Sequence, residues 1–183
     1  PQAIAFNGNG EKMFVLHNRT PNNNFDRVEE YDLGTGFDIS ASSFGSKQEH
    51  KIIKDQETAP RGFAFNNNGT KMFVVGATGD DVNEYTISSG FDLSSTITFV
   101  DSKDISGQDT DPQGIAFNND GTKMFVVGNA GDDVNEYTLT TGFDVSSASF
   151  VDSFEIHNDQ DDTPRGIAFN NDGTKMFVVG DDG

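Results

Sequence analysis

Apolar and polar positions alternate in short bursts along this chain, and no burst keeps a helical period for a useful length. In the stretch 112–163, Gly114-Ile115-Ala116-Phe117 is short and apolar and reads as a strand. Asn118-Asn119-Asp120-Gly121-Thr122 follows, and its Asp-Gly pair signals a hairpin because both positions tolerate positive φ. Lys123-Met124-Phe125-Val126-Val127 is a second strand, apolar on both faces as a strand between two neighbouring sheets must be. After the loop Gly128–Asp133, Val134-Asn135-Glu136-Tyr137-Thr138-Leu139 is a half-polar third strand. Thr141-Gly142 turns the chain into a connector in which Phe143 is an anchor, and Ser149–Ile156 is a fourth strand of exposed character.

The same pattern is written four times. Pro60–Gly76 returns at Pro112–Gly128 and Pro164–Gly180, with a looser copy at Pro1–Leu16, and the starts lie 59, 52 and 52 residues apart. A period of this length marks a repeat architecture. Four antiparallel strands per period, apolar inside and polar outside, describe a blade of an all-β, β-propeller fold. A β-solenoid is the second architecture, but its coils are usually shorter and lack Asp-Gly hairpins. The blades span residues 1–59, 60–111 and 112–163, with a partial blade at 164–183, so the 183 residues form one propeller segment of about 3.5 blades.

The motif Pro164-Arg165-Gly166-Ile167-Ala168-Phe169-Asn170-Asn171-Asp172-Gly173-Thr174-Lys175-Met176-Phe177-Val178 resembles the YVTN-type, lactonase-like β-propeller repeat family. The shared features are the Pro-x-Gly-x-Ala opening, the polar-Asp-Gly turn and the aromatic-Val second strand. The likeness covers the first two strands of each blade, while Val-Asn-Glu-Tyr-Thr and the Gly-Phe-Asp connector depart from it. It implies a fold, and one fold hosts many functions. Lactonase-like propellers hold acidic and His groups in a central pocket, and no such set maps onto this chain residue by residue.

A closed propeller has about 4–8 blades. One segment of this length leaves two end blades with bare apolar faces, so the expected partners are a second copy in a homodimer or the remaining blades of a parent chain. Two copies offer eight inner hairpins and six outer ones. The chain opens on Pro1 inside a repeat and reads as part of a longer protein.

Apolar residues make up 33% of the chain, which would suit disorder were the apolar positions not so strictly repeated. Most of the 17 Phe recur at fixed repeat positions and therefore read as core. Thirty acidic against 12 basic side chains give a net charge of −18, which repels nucleic acid and anionic lipid and suits cations or basic partners. No Cys is present, and no segment has the apolar length of a membrane helix.

Topology gathers the candidate ligand-binding residues. The loops before the first strand and between the second and third share one face, which carries Asp80, Asp81, Asp132 and Asp133. Asp55, Glu57, Asp109, Asp111, Asp161 and Asp162 join them. Gln2, Arg61, Gln113 and Arg165, one per repeat, sit at the mouth of the axial channel. One reading makes the two Arg ties between acidic loops and the Asp and Asn turn formers. The other makes this mouth a site for a cation or polar ligand. Clustered carboxylates suit Ca²⁺, yet no loop has the Asp-x-Asp-x-Asp-Gly spacing. His17, His50 and His157 occupy non-equivalent positions, and His17 opens the irregular loop that runs to Arg27.

The chain has no Gly-x-Ser-x-Gly elbow, phosphate loop or dinucleotide fingerprint. Copied positions favour multivalent binding over the asymmetric set that catalysis needs. The sequence therefore reads as a non-catalytic binding or scaffold module of an extracellular or cell-surface protein; a purely structural repeat with no ligand is a further reading. Its alternative is a lactonase-like or other hydrolase with an axial metal.

Overall fold

A computed structural model describes residues 1–18, 26–40, 44–53, 55–156 and 163–181. Three four-stranded antiparallel sheets follow one another in chain order, each built from consecutive strands. The first comprises β1 (Ala3–Phe6), β2 (Lys12–His17), β3 (Arg27–Leu33) and β4 (Phe44–Ile52). The second comprises β5 (Pro60–Phe65), β6 (Lys71–Gly76), β7 (Asp81–Ile87) and β8 (Ile97–Asp104). The third comprises β9 (Pro112–Phe117), β10 (Lys123–Gly128), β11 (Asp133–Leu139) and β12 (Ala148–Glu155). A two-stranded sheet, β13 (Pro164–Phe169) with β14 (Met176–Gly180), ends the arc. The architecture is a β-propeller arc of about 3.5 blades.

The second strands β6 and β10 are buried on both faces because a blade or hairpin lies on either side. Met72 and Val74 join Phe14, Leu16 and Val28 of the first blade, while Phe73 and Val75 join Met124, Val126 and Tyr137 of the third. The outermost strands β8 and β12 have little to cover them and are exposed along most of their length.

The Asp-Gly hairpin forms, but not with positive φ at both residues. Only Gly121 takes it (φ 72°), as do Gly69 and Gly173, and Asn118 closes the turn by accepting the Lys123 amide on Oδ1. The positive-φ acids lie in the opposite loops, at Asp80 and Asp132, both φ 51°.

The connector aromatics Phe37, Phe91 and Phe143 adopt positive φ (57–59°), an uncommon conformation for a bulky side chain. The bend presses the Phe91 and Phe143 rings across the blade boundary. Phe91 lies 5.4 Å from Phe65 of its own blade and 6.1 Å from Phe14 of the preceding one. Phe143 repeats this at 5.4 Å from Phe117 and 6.3 Å from Phe73. Buried glutamates fix the connector backbone: Glu30 Oε2 accepts from Leu93 N at 2.7 Å, and Glu84 Oε2 from Val145 N at 3.0 Å. Lys12 and Lys71 pair with the same two carboxylates.

Candidate functional site

The inner strands meet backbone to backbone. A Cβ on Gly62 would lie 2.9 Å from Gly114 Cα, and one on Gly114 would lie 3.1 Å from Gly166 Cα. At these two junctions only glycine permits the approach, which brings β5, β9 and β13 around one axis, with β1 beside β5. They enclose a cleft of about 450 Å³ with apolar walls from residues such as Ile4, Phe63 and Ile115.

Of the candidate residues, Gln2, Gln113 and Arg165 line this cleft together. Arg165 donates from one guanidinium nitrogen to Gln113 Oε1 at 3.1 Å, and its Nε donates to Asp181 at 3.0 Å. Gln113 is buried and donates to Asp111 O at 3.2 Å, so its amide is held on both sides. Gln2 is exposed. Arg61 is half-buried, and its Nε has no hydrogen-bond partner among the described residues.

The four aspartates lie elsewhere on the same face. Pro60, Gly76, Asp81 and Asp104 are register partners across the second blade, as are Pro112, Gly128, Asp133 and Glu155 across the third. Asp81 and Asp133 therefore stand two strands out from the axis, roughly 10 Å at the usual strand spacing. Asp81 accepts from Asn83 Nδ2 and Asp133 from Asn135 Nδ2, both at 2.6 Å. Asp80 and Asp132 offer their main-chain carbonyls to Ile105 N and Ile156 N, which closes the outer strand.

Behind each aspartate lies a buried acid. Glu57 packs on Gly76, where a Cβ would come within 2.7 Å of Glu57 Oε2, and it accepts from Ala59 N at 2.5 Å. Burial pushes the Glu57 carboxyl up to about 7, against hydrogen bonds from Ala59 and Thr78 and helped by the nearby Asp81 charge. Asp109 occupies the matching place on Gly128, accepting from Asp111 N and Gly131 N at 2.6 and 3.1 Å. Burial raises Asp109, Asp81 and Asp133 as well. Among the described residues no group of three His, Cys, Asp or Glu could hold a metal ion.

The first blade departs from this plan, in the region that His17 pointed to. Gly76 is replaced by His17, Asp81 by Arg27 and Asn83 by Glu29 at equivalent register positions. Glu29 is buried and sits among three partners. Arg27 Nε donates to its Oε1 and Tyr31 Oη to its Oε2, both at 2.7 Å, and His17 Nε2 lies 3.1 Å from Oε2. Sequence reading singled out His17 and Arg27 but missed Glu29 and Tyr31. Aligning the first blade with the second would have exposed three coordinated exchanges. Arg19, His157, Asp161 and Asp162 lie outside the described residues.

No protein-family model matches the chain, and no curated protein sequence matches it. Solved structures do. One is a putative 6-phosphogluconolactonase from Bacteroides fragilis, with a TM-score of 0.62 at 14% identity over 97% of this chain and 46% of that one. Another is the periplasmic gluconolactonase of Pseudomonas aeruginosa, at 0.56 and 12% over 97% and 42%. A third is the Swd1 β-propeller domain of Myceliophteria thermophila, at 0.58 and 9% over 97% and 49%. The chain spans less than half the length of each. At these identities the likeness establishes the fold, which is the one that lactonase-like propellers share.

Proposed function

We propose that this chain is a non-catalytic propeller segment that binds a polar ligand, a glycan or a polar protein loop, at the mouth of its axial cleft. Gln2, Gln113 and Arg165 line that mouth, with Arg61 at the equivalent position of the second blade outside the cleft's lining. The observation that carries the reading is the cleft itself: apolar walls with a guanidinium and amides at one end, the usual make-up of a pocket that orients a polar ligand. Asp80, Asp81, Asp132 and Asp133 act on the same face as an acidic collar that repels anions and attracts basic partners. The acidic surface fits an extracellular or cell-surface setting. Glycan-array screening followed by calorimetry, with and without Ca²⁺, tests the reading. Binding that drops at least tenfold in Arg165→Ala and Gln2→Ala supports it, and binding indifferent to both overturns it.

Two neighbours named as gluconolactonases favour a second reading, a lactone hydrolase acting in the same cleft. Turnover of a sugar lactone that falls when Arg165 is replaced would establish it in place of the first.

A further inference from the structure

The residues at the mouth differ in how far their polar groups are already engaged. Gln2, Arg61, Gln113 and Arg165 share one position of the inner strand, and Asn18, Ala77, Asn129 and Asp181 share the position directly after the second strand. The last three are held alike: Ala77 N donates to Ala59 O and Asn129 N to Asp111 O at 3.1 Å, and Asp181 N to Thr163 O at 3.2 Å.

In the last hairpin this pair is arginine with aspartate. Arg165 Nη2 lies 2.8 Å from Asp181 Oδ2, and Nη1 donates to Gln113 Oε1 at 3.1 Å. In the third blade the pair is amide with amide. In the second it is Arg61 with Ala77, so Arg61 has no carboxylate where Arg165 has one. Arg61 is half-buried, its Nε is buried without a hydrogen-bond partner, and it enters no ion pair among the described residues. A guanidinium only donates, so what this position lacks is an acceptor. Gly62, the next residue, lines the cleft.

Acid surrounds this cation at a distance. Pro60, beside Arg61, is in register with Gly76, Asp81 and Asp104 across the second blade, and Asp133 with Glu155 repeats the outer part in the third. The third and fourth strands stand roughly 10–15 Å out from the innermost. The first blade has Arg27 at the place of Asp81, so the acidic rim belongs to the second and third blades. A small free anion is repelled by that rim before it reaches Arg61. A carboxylate carried between basic side chains is not.

We infer that the mouth takes a protein loop whose tip presents one Asp or Glu to Arg61, flanked by Lys or Arg that meet the acidic rim. This rests on the mouth being a ligand site and narrows its ligand to a loop of that charge pattern. The 10–15 Å between Arg61's strand and the rim is the span of about three or four extended residues, so the basic residues belong that many places from the acid. A guanidinium can hold a carboxylate through two parallel hydrogen bonds, a match that a ligand amide does not offer.

Fluorescence anisotropy with labelled cyclic peptides tests this on the whole chain. One peptide carries Asp at its tip with Lys about three places to either side, and a second has Asn in place of that Asp. At low salt the Asp peptide is expected to bind about tenfold tighter than the Asn peptide, and the preference to shrink as salt is added. Arg61→Gln installs the residue that the first and third blades have here, so it is expected to fold and to erase the preference. Ala77→Asp supplies the counter-ion found in the last hairpin and is expected to erase it too, with Arg61 still in place. Equal binding of the two peptides, binding of neither, or a preference that survives either variant would overturn the inference. The ligand site itself is judged separately: binding lost in Arg165→Ala and Gln2→Ala but indifferent to Arg61→Gln overturns the acidic tip and leaves the site standing.

Discussion

The first blade and the second solve the same problem in opposite ways. Both must fill the end of a second strand, beneath the loop that enters the next element, with polar groups that water cannot reach. In the second blade the filling is a carboxyl against carboxylates: Glu57 over Gly76, facing Asp81. It persists because the buried acid can hold its proton. In the first blade Glu29 is instead surrounded by Arg27, Tyr31 and His17. Copying a blade thus reproduces the strands while the buried acid is accommodated locally, once by a proton and once by the Arg27 guanidinium and hydrogen bonds.

The sharpest way to break this contrast is to remove the acid on each side. Glu29→Ala removes the buried carboxylate that Arg27, Tyr31 and His17 share and is expected to cost about 3–5 kcal/mol of unfolding free energy in urea titrations. Glu57→Gln keeps a neutral group of the same shape and is expected to be neutral or stabilising at about pH 8. Equal losses would mean that both acids are charged in the fold.

A smaller effect is expected from Gly76→Ala. Its Cβ would fall 2.4 Å from Ala59 O and 2.5 Å from the Glu57 carboxyl carbon, and such overpacking costs about 1–3 kcal/mol. Thermal melts check it, and the double variant with Glu57→Ala should recover part of the loss.

The third prediction is a pH dependence. The folded Glu57 carboxyl titrates near 7, above its ordinary range, so the folded state binds the proton more tightly than the unfolded chain. Its stabilising contribution is whole below the ordinary carboxylate range and is lost as pH rises through about 7, on the order of 2 kcal/mol. Unfolding free energy should therefore decline from about pH 5 to about pH 7 and then level. Glu57→Gln should flatten most of that slope. Asp109 acts in the same direction in the third blade.

The smallest effect concerns a rim ladder that the first blade lacks, in which Asn67 Nδ2 donates to Asn119 O and Asn119 Nδ2 to Asn171 O. Gly8 has open space where a side chain would go, and Gly8→Asn would supply a donor for Asn67 O. A gain of about 0.5–1 kcal/mol is expected in the same melts. No gain would show that the exposed ladder contributes nothing to holding blades together.

Much of the fold was legible because a repeat states its own boundaries. The 52-residue spacing placed every strand of the third blade to within two residues, and Phe143 stands where an anchor was expected. The site was less legible. Sequence placed the acidic loops on one face but could not say how far each lies from the axis, because that depends on which strand carries it. Asp81 and Arg61 look alike as loop charges, yet they stand on different strands of the blade, the third and the innermost. Burial of Glu30 and Glu84 was also hidden, since a glutamate on a half-polar strand gives no sign that the next blade's connector will cover it.

What the sequence determined by itself is the blade: four strands, their turns and their apolar faces, all set by interactions within about 50 residues. What only the tertiary structure decided is how blades meet. The phenylalanine clusters, the glutamates holding connector amides and the glycine line around the axis each join residues about one period or more apart. Local pattern carries no information on contacts at that range, because they form only once each rigid sheet presents its face to the next.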